Sequence, residues 1–312
     1  MEIYDLIIIG AGPAGMTAGV FAVRKGLKTI IVSKDVGGQV NWTTDIENYM
    51  GFEEIDGQAL MDKFEEQLEQ HHLAEKQAGV KVLRREEDLF VVETDQAEQL
   101  KSRAVIICSG KKPKTLNVPG EKEFRNKGVS YCSTCDGPLF RDVPVAIVGG
   151  GNSAVKAALD LANYASEIHL ISLTDLTADA ILAERIKAIA QLKAYLKHSV
   201  IEIKGTKNVE SVVVETADTK KRFELPVQGV FIEIGLDPNT DFVDETVERN
   251  EQHEIKIDCY CRTSVPGLFA AGDVSSVPEK QIIIAAGEGA KAAIKAWEYL
   301  VNKYPNECLV NS

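Results

Sequence analysis

Cys132 and Cys135, three positions apart and followed directly by Asp136-Gly137-Pro138, are the residues of this chain best suited to chemistry. A C-x-x-C loop lowers the pKa of one thiol, and the thiolate is the species that attacks a disulfide. Asp136 is placed to protonate a departing thiolate or to take its proton, provided burial raises its own pKa. An Asp before Gly is equally the signature of a simple turn. The pair could also be half of a zinc site or two inert thiols; zinc needs two further ligands, usually a second close pair. Cys259-Tyr260-Cys261 offers that pair only as a C-x-C on a regular strand, and no His accompanies it. No metal site is expected. The five histidines, at 71, 72, 169, 198 and 253, show no ligand spacing and read as surface or structural groups. Cys108, inside an apolar strand, reads as buried and inert, and Cys308 in the tail carries no signal.

The second kind of chemistry is phosphate binding. Gly10-Ala11-Gly12-Pro13-Ala14-Gly15 lies directly after the apolar run 4–9 and opens a small-residue helix, 13–24. Gly10 permits the tight turn, Gly12 lets backbone approach a pyrophosphate, Gly15 allows close helix packing, and the helix N-terminus attracts the anion. The acidic residue expected roughly 20 residues on, to hold a ribose, is absent. The strand 29–32 runs into Ser33 and Lys34, and the Ser33 hydroxyl is the substitute. Gly149-Gly150-Gly151-Asn152-Ser153-Ala154 repeats the turn. Its second strand, 167–171, leads into Ser172-Leu173-Thr174-Asp175, with no Arg for a 2'-phosphate and no carboxylate at the tip for a ribose diol. This second fold either holds a nicotinamide nucleotide by other means or is a relic that binds none. Gly272-Asp273 is a plain turn or places its Asp on a ribitol hydroxyl.

The elements that must carry these residues follow from pattern and length. At 312 residues, 45% hydrophobic and 26% charged, the chain fits about two globular domains. Its net charge of -12 argues against a nucleic-acid partner and against acidic membrane surfaces. The run 6–9 is too short for a signal peptide or a membrane span. Six cysteines are too sparse for a secreted disulfide scaffold, so a reducing cytoplasm is the expected location. Residues 61–73 read as an amphipathic helix, 80–92 and 104–108 as strands, and 111–114 as a crossover. After the second glycine turn come a charged helix at 182–196, strands at 209–216 and 229–234, and a return crossover at 237–239. A strand at 268–271 and a helix at 283–301 close the pattern; the tail, 304–312, has no clear period.

Taken together these residues resemble the low-molecular-weight thioredoxin reductase family over nearly the whole chain. The matching series is Gly10 to Gly15, Gly37-Gly38-Gln39, the loop from Asp45 to Asn48, Cys132 to Gly137, Gly149 to Ala154, Gly229 to Gly235, Gly272-Asp273 and Gln281. The stretches 127–140 and 280–284 are similar to the flavoprotein component of alkyl hydroperoxide reductase. That component adds an N-terminal thioredoxin-like module, and since this sequence starts at the first nucleotide strand, a separate partner is expected to take the electrons.

The resemblance implies an α/β protein of two Rossmann-like three-layer nucleotide-binding domains, usually assembled as a homodimer. An FAD domain, 1–114 and 241–312, is split by an inserted dithiol and NAD(P)H-like domain, 115–240. It implies that Cys135 is the thiol nearest the flavin, that Cys132 attacks the partner disulfide, and that Asp136 is the acid-base residue. Ser33, Gly38, Gln39, Asn48, Asp273 and Gln281 correspond to flavin contacts. With Gly10, Gly12, Pro13, Ala14, Gly15, Lys34, Gly110, Gly272 and Ile282 they make up the candidate cofactor-binding residues. The implied activity is reduction of thioredoxin or a thioredoxin-like protein.

NADPH-using members carry His-Arg-Arg and a further Arg where this chain has Ser172-Leu173-Thr174 and then Ala178, and the NADH-using relative has a Glu near Ser172. Some relatives with a degraded nucleotide site are reduced by ferredoxin or another carrier. Ferredoxin or another non-pyridine carrier is therefore the expected donor, with NADPH or NADH the alternative. A slow flavin-dithiol redox sensor is a further reading. An acidic ferredoxin would be repelled by the net charge unless Lys111, Lys112 and Lys114 form a local basic patch.

Overall fold

The computed structural model describes residues 2–42, 46 and 48–305. Asp45 and Glu47 of the loop motif, Cys308 and the tail from 306 lie outside the described residues, as does the Cys135 side chain.

The β-branched apolar run at the start forms β1 (Ile3–Ala11), and α1 (Pro13–Arg24) follows with Pro13 at its first position, where a missing N–H costs nothing. Next come β2 (Thr29–Val36), α2 (Gly57–Glu69), β3 (Ala74–Gln77), β4 (Val80–Glu86), β5 (Leu89–Thr94) and β6 (Gln99–Ile107). α2 is capped by Asp56, whose carboxylate accepts the Ala59 N–H at 3.1 Å. The expected strand at 80–92 is instead an antiparallel hairpin, turned at Glu87-Asp88 with Glu87 at φ 53°. β7 (Lys111–Pro113) then begins the crossover.

β8 (Val129–Ser130), α3 (Ser133–Asp136), β9 (Pro144–Val148), α4 (Asn152–Leu161), β10 (Glu167–Ser172) and α5 (Ala180–Ile186) follow. β11 (Leu192–Leu196), β12 (His198–Gly205), β13 (Val209–Thr216), β14 (Arg222–Pro226) and β15 (Gly229–Ile232) complete this segment. β16 (Leu236–Pro238) pairs with β7, so the two crossover segments form a ribbon. β17 (Leu268–Ala270) and α6 (Ile282–Lys303) end the described chain.

The fold has two compact units. One comprises the segments up to Asn41, Ile46–Lys112 and from Asp237 onward; the other holds Pro113–Leu236. In the first, the sheet order is β3-β2-β1-β6-β5-β4, with β17 also paired to β6. β1 lies parallel between β2 and β6, with Ile7 opposite Ile30 and Val105. Because both faces are covered, Leu6 and Ile8 pack with Met16, Ile31 and Ala292 on one side. Ile7 and Ile9 pack with Ile30, Val105 and Leu268 on the other.

In the second unit the parallel order is β11-β10-β9-β15-β8. Val145, Ile147 and Phe231 face Val155, Ala158 and Leu161 of α4. Ala146, Val148 and Val230 face Val200, Val212 and Val214 of the antiparallel β12-β13-β14 layer. Each unit is thus a Rossmann-like layered α/β body.

The charged helix expected at 182–196 is a correction. Its apolar spacing at Leu182, Ile186 and Ile189 does form a helix, but the helix stops at Ile186, and Leu192 to Leu196 pairs in parallel with β10, extending the sheet edge. Cys259 and Cys261 do not lie on a strand either. They sit in a turn, Cys259 exposed and Cys261 buried at φ 61°, so the two thiols face different surroundings. Among the described residues no helix is long and apolar enough to cross a membrane.

Candidate redox and cofactor sites

The Cys132 loop is fixed by the strand before it. Buried Ser130 accepts the Cys132 N–H at 3.0 Å through its Oγ and donates to the Cys132 carbonyl at 3.2 Å, so residue 132 is held at both backbone groups. Cys132 is half-buried and disulfide-bonded. The chain then turns into α3, with the Asp136 N–H reaching back to the Cys132 carbonyl at 3.2 Å. Asp136 is half-buried at the end of α3, and its side chain makes no capping bond to the short helix that follows. Cys132 and Asp136 are thus brought to one turn.

Two carboxylates that sequence reasoning passed over meet this turn. The Ser133 N–H donates to Glu233, just beyond β15, while the Ser133 hydroxyl donates to Asp160 in the last turn of α4. The Thr134 hydroxyl donates to the same Asp160 carboxylate at 3.4 Å. Burial pushes the Glu233 carboxyl up to about 7, with the Ser133 N–H opposing the rise and the Asp160 charge adding to it. Burial also raises Asp160, against the hydroxyls of Thr134 and Ser133 and the charge of Lys156. The available signal was Glu233 itself, a lone charge in the apolar run Phe231-Ile232-Glu233-Ile234.

The first glycine turn has the form its spacing predicts. Gly10 is at φ +107°, and a Cβ there would stand 2.3 Å from the Cys108 carbonyl oxygen, so only glycine fits. Over Gly12 the space is open; a Cβ would meet only the Gly37 carbonyl, at 4.0 Å. No side chain caps α1, which leaves the N–H groups of Ala14 and Gly15 to an anion. A pyrophosphate therefore fits this cradle. Ser33 Oγ accepts the Ala11 N–H at 3.1 Å and donates to the Asp35 carbonyl at 2.6 Å, which commits its proton within the loop. Lys34 is exposed beside it, and Gly38 and Gln39 open a short helix, Gly38–Trp42.

Across this unit, 233 positions apart in sequence, the Asn48 amide donates to the Gln281 side chain at 3.0 Å, which joins two of the candidate contacts. Gln281 is the N-cap residue of α6 and Ile282 its first residue. Gly272 N–H donates to buried Glu288 at 2.8 Å, and Gly110 has open space over its Cα. Burial raises the Asp273 carboxyl against the pull of Lys280 and Lys111. Those lysines share Glu254, at 3.0 and 2.6 Å, in an ion-pair cluster the sequence did not reveal.

The second glycine turn differs at its far strand. α4 begins at Gly151 without a side-chain cap, as α1 does at Gly12. Ser172, buried at the tip of β10, packs its hydroxyl 2.2 Å from where a Cβ on Gly150 would stand. Leu173 follows, 67% exposed, and the ion pair beyond it is Asp175 with Lys197, at 3.8 Å. Asp179 is bonded to the Asn152 side chain. Cys108 and Cys261 are buried free thiols, and burial pushes Cys261 up to about 12. Among the described residues no cluster of His, Cys, Asp and Glu is arranged to hold a metal.

Two units, each with a glycine turn leading from a parallel strand into a helix, and a disulfide-bonded cysteine in the second, define a two-domain dinucleotide-fold redox protein. Residues 4–293 match the pyridine nucleotide-disulphide oxidoreductase family, and the chain belongs to it. The chain is 40% identical over 306 residues to an NADH dehydrogenase of Bacillus subtilis strain 168, covering 96% of this chain and 59% of that one. It spans about three-fifths of the length of that and of other curated relatives, an alkyl hydroperoxide reductase component of Escherichia coli K12 among them. The structure of Lactococcus lactis thioredoxin reductase superposes with a TM-score of 0.79 at 36% identity, covering 96% of this chain and 99% of the other. A ferredoxin-flavin thioredoxin reductase from Clostridium acetobutylicum superposes with a TM-score of 0.54 at 28% identity, covering 97% and 99%.

Proposed function

We propose that this chain is a FAD-dependent disulfide reductase in which Cys132 and Cys135 carry electrons to a disulfide on thioredoxin or a thioredoxin-like protein. The carrying observation is Cys132, disulfide-bonded and followed by Asp136 within one turn, in a unit inserted into a dinucleotide fold. FAD, when bound, supplies two-electron transfer. Its pyrophosphate would be held at Gly10, Gly12, Pro13, Ala14 and Gly15, and its remainder by Ser33, Lys34, Gly38, Gln39, Asn48, Gly110, Gly272, Asp273, Gln281 and Ile282.

In the reduced state the Cys132 thiolate attacks the partner's disulfide and forms a mixed disulfide. Asp136 gives a proton to the departing partner thiolate. Cys135 then attacks Cys132, which restores the internal disulfide and releases the partner with two thiols. A homodimer in the cytoplasm is the proposed working form. In the Cys132→Ser variant FAD stays bound and thioredoxin reduction falls to background; a variant that still turned over at the normal rate would overturn this assignment. A redox sensor would instead show no multiple turnovers with any thioredoxin.

The proposed donor is ferredoxin or another non-pyridine carrier. Ser172, Leu173 and Thr174 offer none of the guanidinium contacts that hold a 2'-phosphate, each worth roughly 1.5 to 3 kcal/mol. NADH is the second reading, favoured by the open N-terminus of α4 and by the name of the Bacillus relative. Anaerobic mixing with NADPH, NADH or reduced ferredoxin, followed by flavin bleaching, distinguishes them. Bleaching by micromolar NADPH would sink the carrier reading, and bleaching by NADH alone would establish the second.

A further inference from the structure

The turn that carries Cys132 is gripped by acids on two sides, and one of them is poised to change charge. Glu233 accepts the Ser133 N–H, and Asp160 accepts the hydroxyls of Ser133 and Thr134, so both residues between the two cysteines are bonded to a carboxylate. The elements behind them are closely packed. The Glu233 N–H donates to the Val148 carbonyl at 2.8 Å, and a Cβ on Gly149 would stand 2.2 Å from the Glu233 carbonyl oxygen. Asp160 belongs to α4, whose inner face is fully buried.

We propose that Glu233 takes up a proton when the Cys132 disulfide is reduced, acting as a positioning residue that compensates the negative charge formed on sulfur. This rests on the redox reading of the cysteine pair. In the step, a dithiol reductant supplies two electrons and two protons, the internal S–S bond breaks, and the reductant leaves as its own disulfide. One proton goes to a sulfur and the other to the Glu233 carboxylate, while the second sulfur remains a thiolate; charge and atoms balance.

The cause is electrostatic. From α4 Glu233 meets the charge of Asp160, with Lys156 acting on Asp160 from the same helix, and from α3 it meets the Ser133 N–H, with Asp136 at the far end of that short helix. A thiolate added at this turn is a further like charge that disfavours the ionised carboxylate. With the disulfide closed Glu233 already titrates at about 7, so reduction moves it higher. Between the two values reduction consumes one proton more in the wild type than in a variant without the carboxyl.

The test equilibrates the full FAD-bound protein with dithiothreitol buffers from pH 5.5 to 9 and counts trapped thiols, for wild type and Glu233→Gln. The ratio of the two reduction equilibrium constants, wild type over variant, is expected to be level below pH ~7 and to fall by up to tenfold per pH unit above it. A ratio independent of pH would overturn the proposal and leave Glu233 a structural group. Failure of Cys132 to yield a thiol in either protein would instead sink the redox reading itself. Should the variant not fold, the infrared difference spectrum of reduced minus oxidised wild type at pH 7.5 decides. A gained protonated-carboxyl band supports the proposal and its absence refutes it.

Discussion

A carboxylate placed where burial disfavours its charge is a cost to folding that depends on pH. Glu233 ionises near its ordinary value of 4.5 in the unfolded chain but only at about 7 in the fold. Burial thus leaves stability intact below the lower value. Stability is lost as pH rises between the two, and the loss levels off above the folded value. The span corresponds to at most ~3 kcal/mol. Urea unfolding should therefore show Glu233→Gln and wild type close together at pH 4.5, with the variant gaining relative stability up to pH 7.5. Equal differences at both pH values would show that Glu233 is hydrated more than its packing implies. The cluster of Glu254 with Lys111 and Lys280 contrasts with this. There the partners are positive, and despite the opposing effect of burial the hydrogen bonds from Lys111, Asn250 and Lys280 hold Glu254 below the usual range.

Among the elements, the contact of α1 with α6 is the one on which the cofactor cradle depends. A Cβ on Gly289 would stand 2.0 Å from the Ala14 carbonyl oxygen, a backbone atom in the first turn of α1. Gly289→Ala must push that turn away, and overpacking of this kind costs roughly 1 to 3 kcal/mol. The expected result is a lowered Tm together with a reduced FAD-to-protein ratio after gel filtration. Gly287→Ala, two residues away with nothing within 4 Å of its Cβ, should be neutral or stabilise by roughly 0.5 to 1 kcal/mol. If both substitutions behaved alike, the close approach would not be what fixes the turn.

Elements of this kind were legible because strand, glycine turn and helix follow from local pattern, as at 4–24 and 144–161. The helix misread at 182–196 was not, since Leu182, Ile186, Ile189 and Leu192 keep helical spacing across the break. What ends the helix is the free edge of β10, a partner distant in sequence. The hairpin at 80–94 was hidden for a related reason. Glu87 and Asp88 turn the chain without a glycine, and only Glu87 at φ 53° reveals it. Cys132 and Asp136 were readable because their spacing is local. Glu233 and Asp160 were not, because they reach that turn from just beyond β15 and from α4, and the Lys111, Glu254 and Lys280 cluster likewise joins three distant segments.

At the scale of the whole molecule the dominant quantity is the net charge of -12. The basic run at the crossover was expected to offset it locally for an acidic carrier, but the ion pairs alter that expectation. Lys111 is largely buried against Glu254, and Lys112 pairs with Asp241 at 2.9 Å, so the charges of these lysines are already matched by acids. For an acidic ferredoxin, the proposed donor, the net charge then makes long-range repulsion the expected effect. Salt shortens the reach of that repulsion, to about 10 Å at 0.1 M and about 3 Å at 1 M. Stopped-flow flavin reduction by ferredoxin should therefore speed up as sodium chloride rises from 20 to 200 mM, the reverse of an electrostatically steered pair. A second-order rate that fell with salt would mean that a basic surface elsewhere receives the carrier. Lys112→Glu should lower the rate further at low salt and leave it nearly unchanged at high salt. A loss of equal size at both would mark Lys112 as a direct contact in the encounter rather than one charge among many.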